Sequence, residues 1–215
     1  MNTQRNVQAP PIGGADHFGE QTWQTLLQFA QLLQDEGELR GLVGPREFGK
    51  LWDRHILNSL GIEEFLRENS RLIDVGSGAG FPGIVVGIVR PDLKITLVES
   101  MERRVQWLEY VVDTLQLNHI DVVRSRAEEL RGKISADYVT ARAVARLKKL
   151  IPWGLPLVKP GGSLLALKGR QAGEEIDEAV AELDRFRVEW ADVYHVKVWG
   201  SDEMTTVVEL RKERK

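Results

Sequence analysis

Apolar residues fall into three successive rhythms along these 215 residues. Over Glu20 to Glu36 they recur at Trp23, Leu26, Leu27, Ala30 and Leu33, the spacing of one helical face, and Gly37 can end the helix. Over Arg46 to Leu60 they recur at Phe48, Leu51, Trp52, Ile56 and Leu60, with His55 on the same stripe and Pro45 suited to the helix start. From Arg71 the rhythm changes to short apolar runs. Strands are predicted at Arg71–Val75, Lys94–Glu99, Ile120–Arg124, Ala136–Thr140 and Gly162–Lys168. Helices are predicted between and after them at Pro82–Arg90, Arg103–Leu117, Ala145–Leu157 and Glu174–Asp184. Such alternation specifies βαβ units and a mostly parallel sheet. Arg187–Trp199 and Thr205–Arg211 then follow with no helix between them and read as a terminal antiparallel pair. The division expected is a polar, mobile tail over 1–18, a helical cap over 19–66 and a sheet domain over 67–215, in one compact unit.

Composition narrows this picture. Charged residues make up 28% and hydrophobic residues 42%, a globular balance, and no apolar run is long enough to span a bilayer. With no cysteine there is no disulfide or thiolate metal site, and the four histidines are scattered, so no metal site is expected and the cytoplasm is the expected compartment. A net charge of −3 disfavours a protein that coats nucleic acid generally. The charge is uneven, however. Between Arg142 and Arg170 lie seven basic side chains (Arg142, Arg146, Lys148, Lys149, Lys159, Lys168 and Arg170) and no acid, which allows a local anionic partner.

The densest chemistry follows the first strand, in Asp74-Val75-Gly76-Ser77-Gly78-Ala79-Gly80-Phe81-Pro82-Gly83. Glycines there let the backbone turn sharply and approach a ligand, and a helix N-terminus just beyond offers free N–H groups to an anion. A dinucleotide fingerprint needs glycine at its first, third and sixth positions. Counted from Gly76 the sixth is Phe81, so the glycine for close helix–strand packing is missing. Asp74 before the loop suits a cofactor with a cationic amino group, and S-adenosyl-L-methionine is favoured over a nicotinamide dinucleotide. Glu99, closing the second strand 23 residues after Gly76, can accept hydrogen bonds from both ribose hydroxyls.

Three further segments, His55-Ile56-Leu57-Asn58-Ser59-Leu60, Arg126-Ala127-Glu128 and Thr140-Ala141-Arg142-Ala143-Val144-Ala145, join the glycine loop and Lys168-Gly169. Together, from about Trp23 to about Arg170, they resemble the RsmG (GidB) family of bacterial small-subunit rRNA methyltransferases. The resemblance implies a class I, Rossmann-like methyltransferase fold with added N-terminal helices. It also implies methyl transfer from S-adenosyl-L-methionine to N7 of one guanosine in the 530 loop of 16S rRNA, leaving S-adenosyl-L-homocysteine. The implied partner is 16S rRNA or the 30S subunit, with no membrane or metal, and a monomer is expected. Loss of function in the family goes with low-level streptomycin resistance. Carried over by motif, Gly76 and Phe81 contact the cofactor, Ala127 and Glu128 lie at its adenine, and Arg142 lies beside cofactor and substrate. Asn58 departs from the aspartate common at this family position.

Guanine N7 has an in-plane lone pair and no proton, so its methylation needs alignment rather than a general base. The expected catalytic residue is Arg142, whose fork can hold a phosphate, a carboxylate or a guanine edge; an ion pair with Asp137 is the bland alternative. Cofactor contacts are expected from Asp74, Gly76, Gly78, Phe81, Glu99, Ala127, Glu128 and Arg142. Arg146, Lys148, Lys149, Lys168 and Arg170 are the expected phosphate-holding residues, with Lys168 foremost. His55 is expected to be structural, and Trp52 and Trp153 to pack. Other readings are a small-molecule or protein methyltransferase, an oxidoreductase and a non-catalytic ribosome-assembly factor.

Overall fold

The structure is a computed structural model, and it describes residues 7–215. The strands are β1 (Arg71–Val75), β2 (Lys94–Glu99), β3 (Ile120–Arg124), β4 (Ala136–Arg142), β5 (Val158–Lys168), β6 (Val188–Lys197) and β7 (Met204–Lys212). They form one seven-stranded sheet in the order β3-β2-β1-β4-β5-β7-β6. The first five strands are parallel, and β7 runs antiparallel between β5 and β6. The order reverses between β1 and β4, and in open α/β sheets ligands bind at the carboxyl ends of the strands flanking such a switch.

Helices cover both faces: α1 (Gly14–Phe18), α2 (Glu20–Glu36), α3 (Gly83–Val89), α4 (Glu102–Thr114), α5 (Leu147–Gly154), α6 (Ala172–Asp177) and α7 (Val180–Arg185). One core joins α2, α3 and α4 to the sheet through Leu26, Phe29, Leu33, Ile84, Trp107 and Leu108. The second packs α5 beneath β4 and β5 through Leu150, Ile151, Val139 and Leu164. The expected helix over 174–184 is two short helices, with fully buried Ala179 at the break.

Two parts of the amino-terminal third differ from expectation. Arg46–Leu60 is not a regular α-helix but a 3-10 turn at Phe48–Lys50, a π-helix at Leu51–Leu57 and, beyond it, a 3-10 segment at Leu60–Phe65. The wider π turn buries Leu51, Trp52, Ile56 and Leu57 together. Its leading amides, those of Trp52 and Asp53, donate to the side-chain oxygen of Gln8 at 3.0 and 3.1 Å. The segment expected to be a mobile tail therefore carries a clamp. Farther along it, His17 stacks on Trp199 at 4.4 Å and Phe18 lies edge-on to the same ring. The rest of the expected tail, residues 1–6, lies outside the described residues.

Candidate functional site

The turn after β1 brings the backbone to the sheet's carboxyl edge. Gly76, Gly78 and Gly80 have φ of +71°, +55° and +107°, a region that side chains with a Cβ rarely occupy. The loop is tied down from several sides. Gly76 N–H donates to Val98 O at 2.8 Å, and Trp107 Nε1–H donates to Ala79 O at 3.0 Å. Close helix–strand packing, expected to lack its glycine, is supplied by Gly83 two positions beyond Phe81. A Cβ on Gly83 would stand 2.3 Å from Leu97 Cδ2 and 2.7 Å from Asp74 Oδ2.

Asp74 is fully buried. Its Oδ2 accepts the Gly83 N–H at 3.0 Å, so the start of α3 is capped by the chain itself instead of being offered to an anion, as the sequence had suggested. Its Oδ1 is buried with no hydrogen-bond partner, and burial pushes the carboxyl up to about 7. Glu99 is nearly as buried. Its Oε1 accepts from Ser100 N and Met101 N at 2.8 and 2.9 Å, and its Oε2 accepts from Gly78 N at 3.1 Å. Oε2 keeps one acceptor direction, with Arg104 Nη1 standing 3.7 Å away as an ion pair.

Two small clefts meet at Gly76. One, of about 230 Å³, is lined by Val75, Glu99, Ser125, Ala127, Glu128 and Trp153. The other, of about 180 Å³, is lined by His55, Ser77, Gly78, Phe81, Arg104 and Arg142. Val144 caps their junction: a Cβ on Gly76 would lie 2.7 Å from its Cγ2. A third and larger hollow, about 950 Å³, opens on the far side of Arg142 and is lined by Arg54, Asn58, Arg146, Arg170, Thr205 and Thr206 among others. A further hollow, of about 880 Å³ beside Trp199 and Arg90, lies elsewhere and shares none of these residues.

Arg142 is the wall between the second cleft and the large hollow. Its guanidinium lies 4.6 Å from the centre of the Phe81 ring. Nη1 donates to Arg54 O at 2.7 Å and Nη2 to His55 Nδ1 at 2.9 Å. The π-helix supplies both acceptors. Burial lowers the Arg142 pKa to about 10, which leaves it charged at neutral pH. An ion pair with Asp137 does not form; that carboxylate holds Lys159 and the Arg71 N–H instead. His55 Nε2 stands 2.9 Å from Glu47 Oε2. Sequence reasoning set His55 aside as structural because it lies on an apolar stripe. Arg104 was missed altogether; its Nε is buried without a partner, and no motif marks it.

The basic residues divide. Lys148, Lys149 and Arg170 are exposed, and Arg146 forms an exposed pair with Glu178 at 2.9 Å. Lys168 is not free for a phosphate. Its Nζ donates to Glu175 Oε2 at 2.7 Å and to Ala145 O at 2.6 Å, in a largely buried pair. Glu175 also accepts the Leu147 N–H at 2.8 Å, so the two side chains pin the 143–147 turn. Trp52 is core, packed on Trp23, whereas Trp153 lines the first cleft. Asn58 Nδ2 donates to Thr205 Oγ1 at 3.0 Å. Among the described residues no cluster of His, Asp and Glu could hold a metal ion, and no helix is long and apolar enough to cross a membrane.

A switch-point cleft beneath a glycine loop, on a sheet with β7 inserted antiparallel, defines the class I S-adenosylmethionine-dependent methyltransferase fold. The solved structures agree. An O-methyltransferase from Thermotoga maritima aligns with a TM-score of 0.59 at 16% identity over 79% of this chain and 71% of that one. A precorrin-6Y C5,15-methyltransferase from Geobacter metallireducens aligns with 0.55 at 15% identity over 73% and 87%. The family is narrower than the fold. The family model of rRNA small subunit methyltransferase G, GidB, matches residues 22–203, and the chain belongs to that family. Its relatives of that name include one from Thermobifida fusca, 49% identical over 94% of this chain and 84% of the relative. Another, from Streptomyces coelicolor, is 45% identical over 95% and 86%.

Proposed function

We propose that this protein transfers the methyl group of S-adenosyl-L-methionine to N7 of a guanosine in the 530 loop of 16S rRNA, releasing S-adenosyl-L-homocysteine. The observation that carries the reading is Arg142, a partly buried cation that forms one wall of the glycine-loop cleft and one wall of the basic-rimmed hollow. The GidB membership supports the substrate, and the N7 position and the loop rest on the family resemblance.

The residues present fit the cofactor. The unpartnered Nε of Arg104, in the wall of the second cleft, is a donor suited to a carboxylate. Asp74, one residue before Val75 of the first cleft, places a carboxyl behind it that could act on an ammonium. Glu99 keeps one acceptor for a ribose hydroxyl, and Ala127, Glu128 and Trp153 line a cleft suited to a purine. When bound, the cofactor supplies an electrophilic methyl on a cationic sulfur. The chain supplies alignment and dryness. Phe81 seats the Arg142 guanidinium on its electron-rich face. Arg142 keeps N–H donors beyond the two already used, and these can hold an acceptor at the guanine edge or on a phosphate. No side chain has to take a proton from N7, because N7 carries none. Arg146, Lys148, Lys149 and Arg170 line or flank the approach and can neutralise rRNA phosphates.

The test is transfer of labelled methyl to 30S subunits from a strain lacking the modification. One labelled guanosine in 16S rRNA is expected. Label on no RNA, or on protein or small molecules alone, would overturn the reading. Arg142→Ala is expected to lower turnover about 100-fold or more with the melting temperature nearly unchanged.

A further inference from the structure

His55 is adjacent to the proposed catalytic arginine, yet nothing in the methyl transfer calls for a base. Its surroundings dictate its protonation. Arg142 has only donors, so the Nη2 contact at 2.9 Å requires a lone pair on His55 Nδ1. The ring proton then sits on Nε2, where it donates to Glu47 Oε2 at 2.9 Å. The ring also lies 5.3 Å from Phe81, the surface on which the guanidinium rests. Glu47, His55 and Arg142 thus form a chain of directed hydrogen bonds running from the cap into the wall of the cleft.

We propose that His55 is a positioning residue: its neutral Nε2–H form holds the Arg142 guanidinium over Phe81, and a second proton on the ring releases it. This rests on the reading of Arg142 given above. A proton on Nδ1 would set an N–H against an N–H and place two cations within hydrogen-bond distance. Arg142 would keep only the Arg54 carbonyl and the Phe81 face. The charged groups facing the ring are Arg142 from β4, Glu47 from the preceding turn and Arg54 from its own π-helix. Burial and then Arg142 lower the imidazole pKa, and Glu47 acts against them. The neutral form therefore prevails at neutral pH, and turnover should fall as the solution is made acid. Asparagine at this position has an acceptor near the place of Nδ1 and does not titrate, so it separates the hydrogen bond from the charge.

The experiment measures turnover on 30S subunits from pH 5 to 8, together with binding of S-adenosyl-L-homocysteine, for the wild type, His55→Ala and His55→Asn. Expected results are a loss of about 10-fold or more in kcat for H55A, with homocysteine-product affinity changed less than about threefold. H55N should recover most of that loss and show a shallower acid limb than the wild type, the remainder belonging to Asp74, which also acts on Arg142. Nitrogen NMR of the wild-type imidazole should show the Nε2–H tautomer. A wild-type kcat in H55A, an acid limb as steep in H55N as in the wild type, or an Nδ1–H tautomer would each overturn the proposal. Failure of the wild type to methylate small-subunit RNA would instead overturn the proposed function, and the NMR tautomer would still be decided.

Discussion

Asp74 carries a carboxyl group that water does not reach, with one oxygen spent on capping α3 and the other unpartnered. Its raised value sets a sign. Between about pH 4, where the unfolded chain loses this proton, and about pH 7, where the folded chain does, the native state binds more protons. Asp74 therefore makes the fold less stable as pH rises through that window, with no further change above it. Asp74→Asn should abolish the decline, measured as the difference in denaturation midpoint between pH 5 and pH 8 in the two proteins. The comparison cancels Asp92, which Arg90 holds at about 2 and which acts only at lower pH. Asp74, Glu99 and Arg142 were legible because their places at strand ends follow from the apolar rhythm. Arg104 was not, since an arginine in Glu102-Arg103-Arg104 looks like any solvated helix face until the turn of α4 aims it.

Helix α3 shows how an element is fixed by what it lacks. Gly83 and Gly87 let it lie directly on β2 and β3; a Cβ on Gly87 would fall 2.4 Å from Ile120 Cδ1. Gly83→Ala should cost about 1 to 3 kcal/mol in a denaturant titration, because Leu97 and Asp74 must give way. The turn after β4 is held by a different device, the Lys168–Glu175 pair under Ala145 and Leu147. Lys168→Met should destabilise by about 3 kcal/mol, since it strands a mostly buried carboxylate, and the same titration checks it. Here the sequence misled. A lysine in an acid-free run looks available, and its partner stands seven residues on, beyond the run. The π-helix was equally hidden. Its apolar residues keep helical spacing, and nothing local marks the π turn or the capture of its leading amides by Gln8, 44 and 45 residues away.

At the scale of the molecule, a chain of net charge −3 must meet RNA through a local surface. Lys148 and Lys149 are exposed on α5, so replacing both with alanine should lower the slope of log affinity for 30S subunits against log salt by roughly 1.4 to 1.8. A filter-binding series in salt measures this. The sheet was almost entirely legible, with β1, β2 and β3 at their expected bounds; β1 and β2, buried on both faces, write themselves as apolar runs, and the edge strand β3 keeps only a short Ile120, Val122 and Val123 signal. The cap was less so, because its shape depends on contacts with distant parts of the chain. Gln8 bonds the turn whose Arg54 carbonyl steadies Arg142, although Gln8 itself lines neither cleft. The amino end is therefore a poor place to trim: a protein begun at residue 13 would keep every side chain of the cleft and lose the brace behind it.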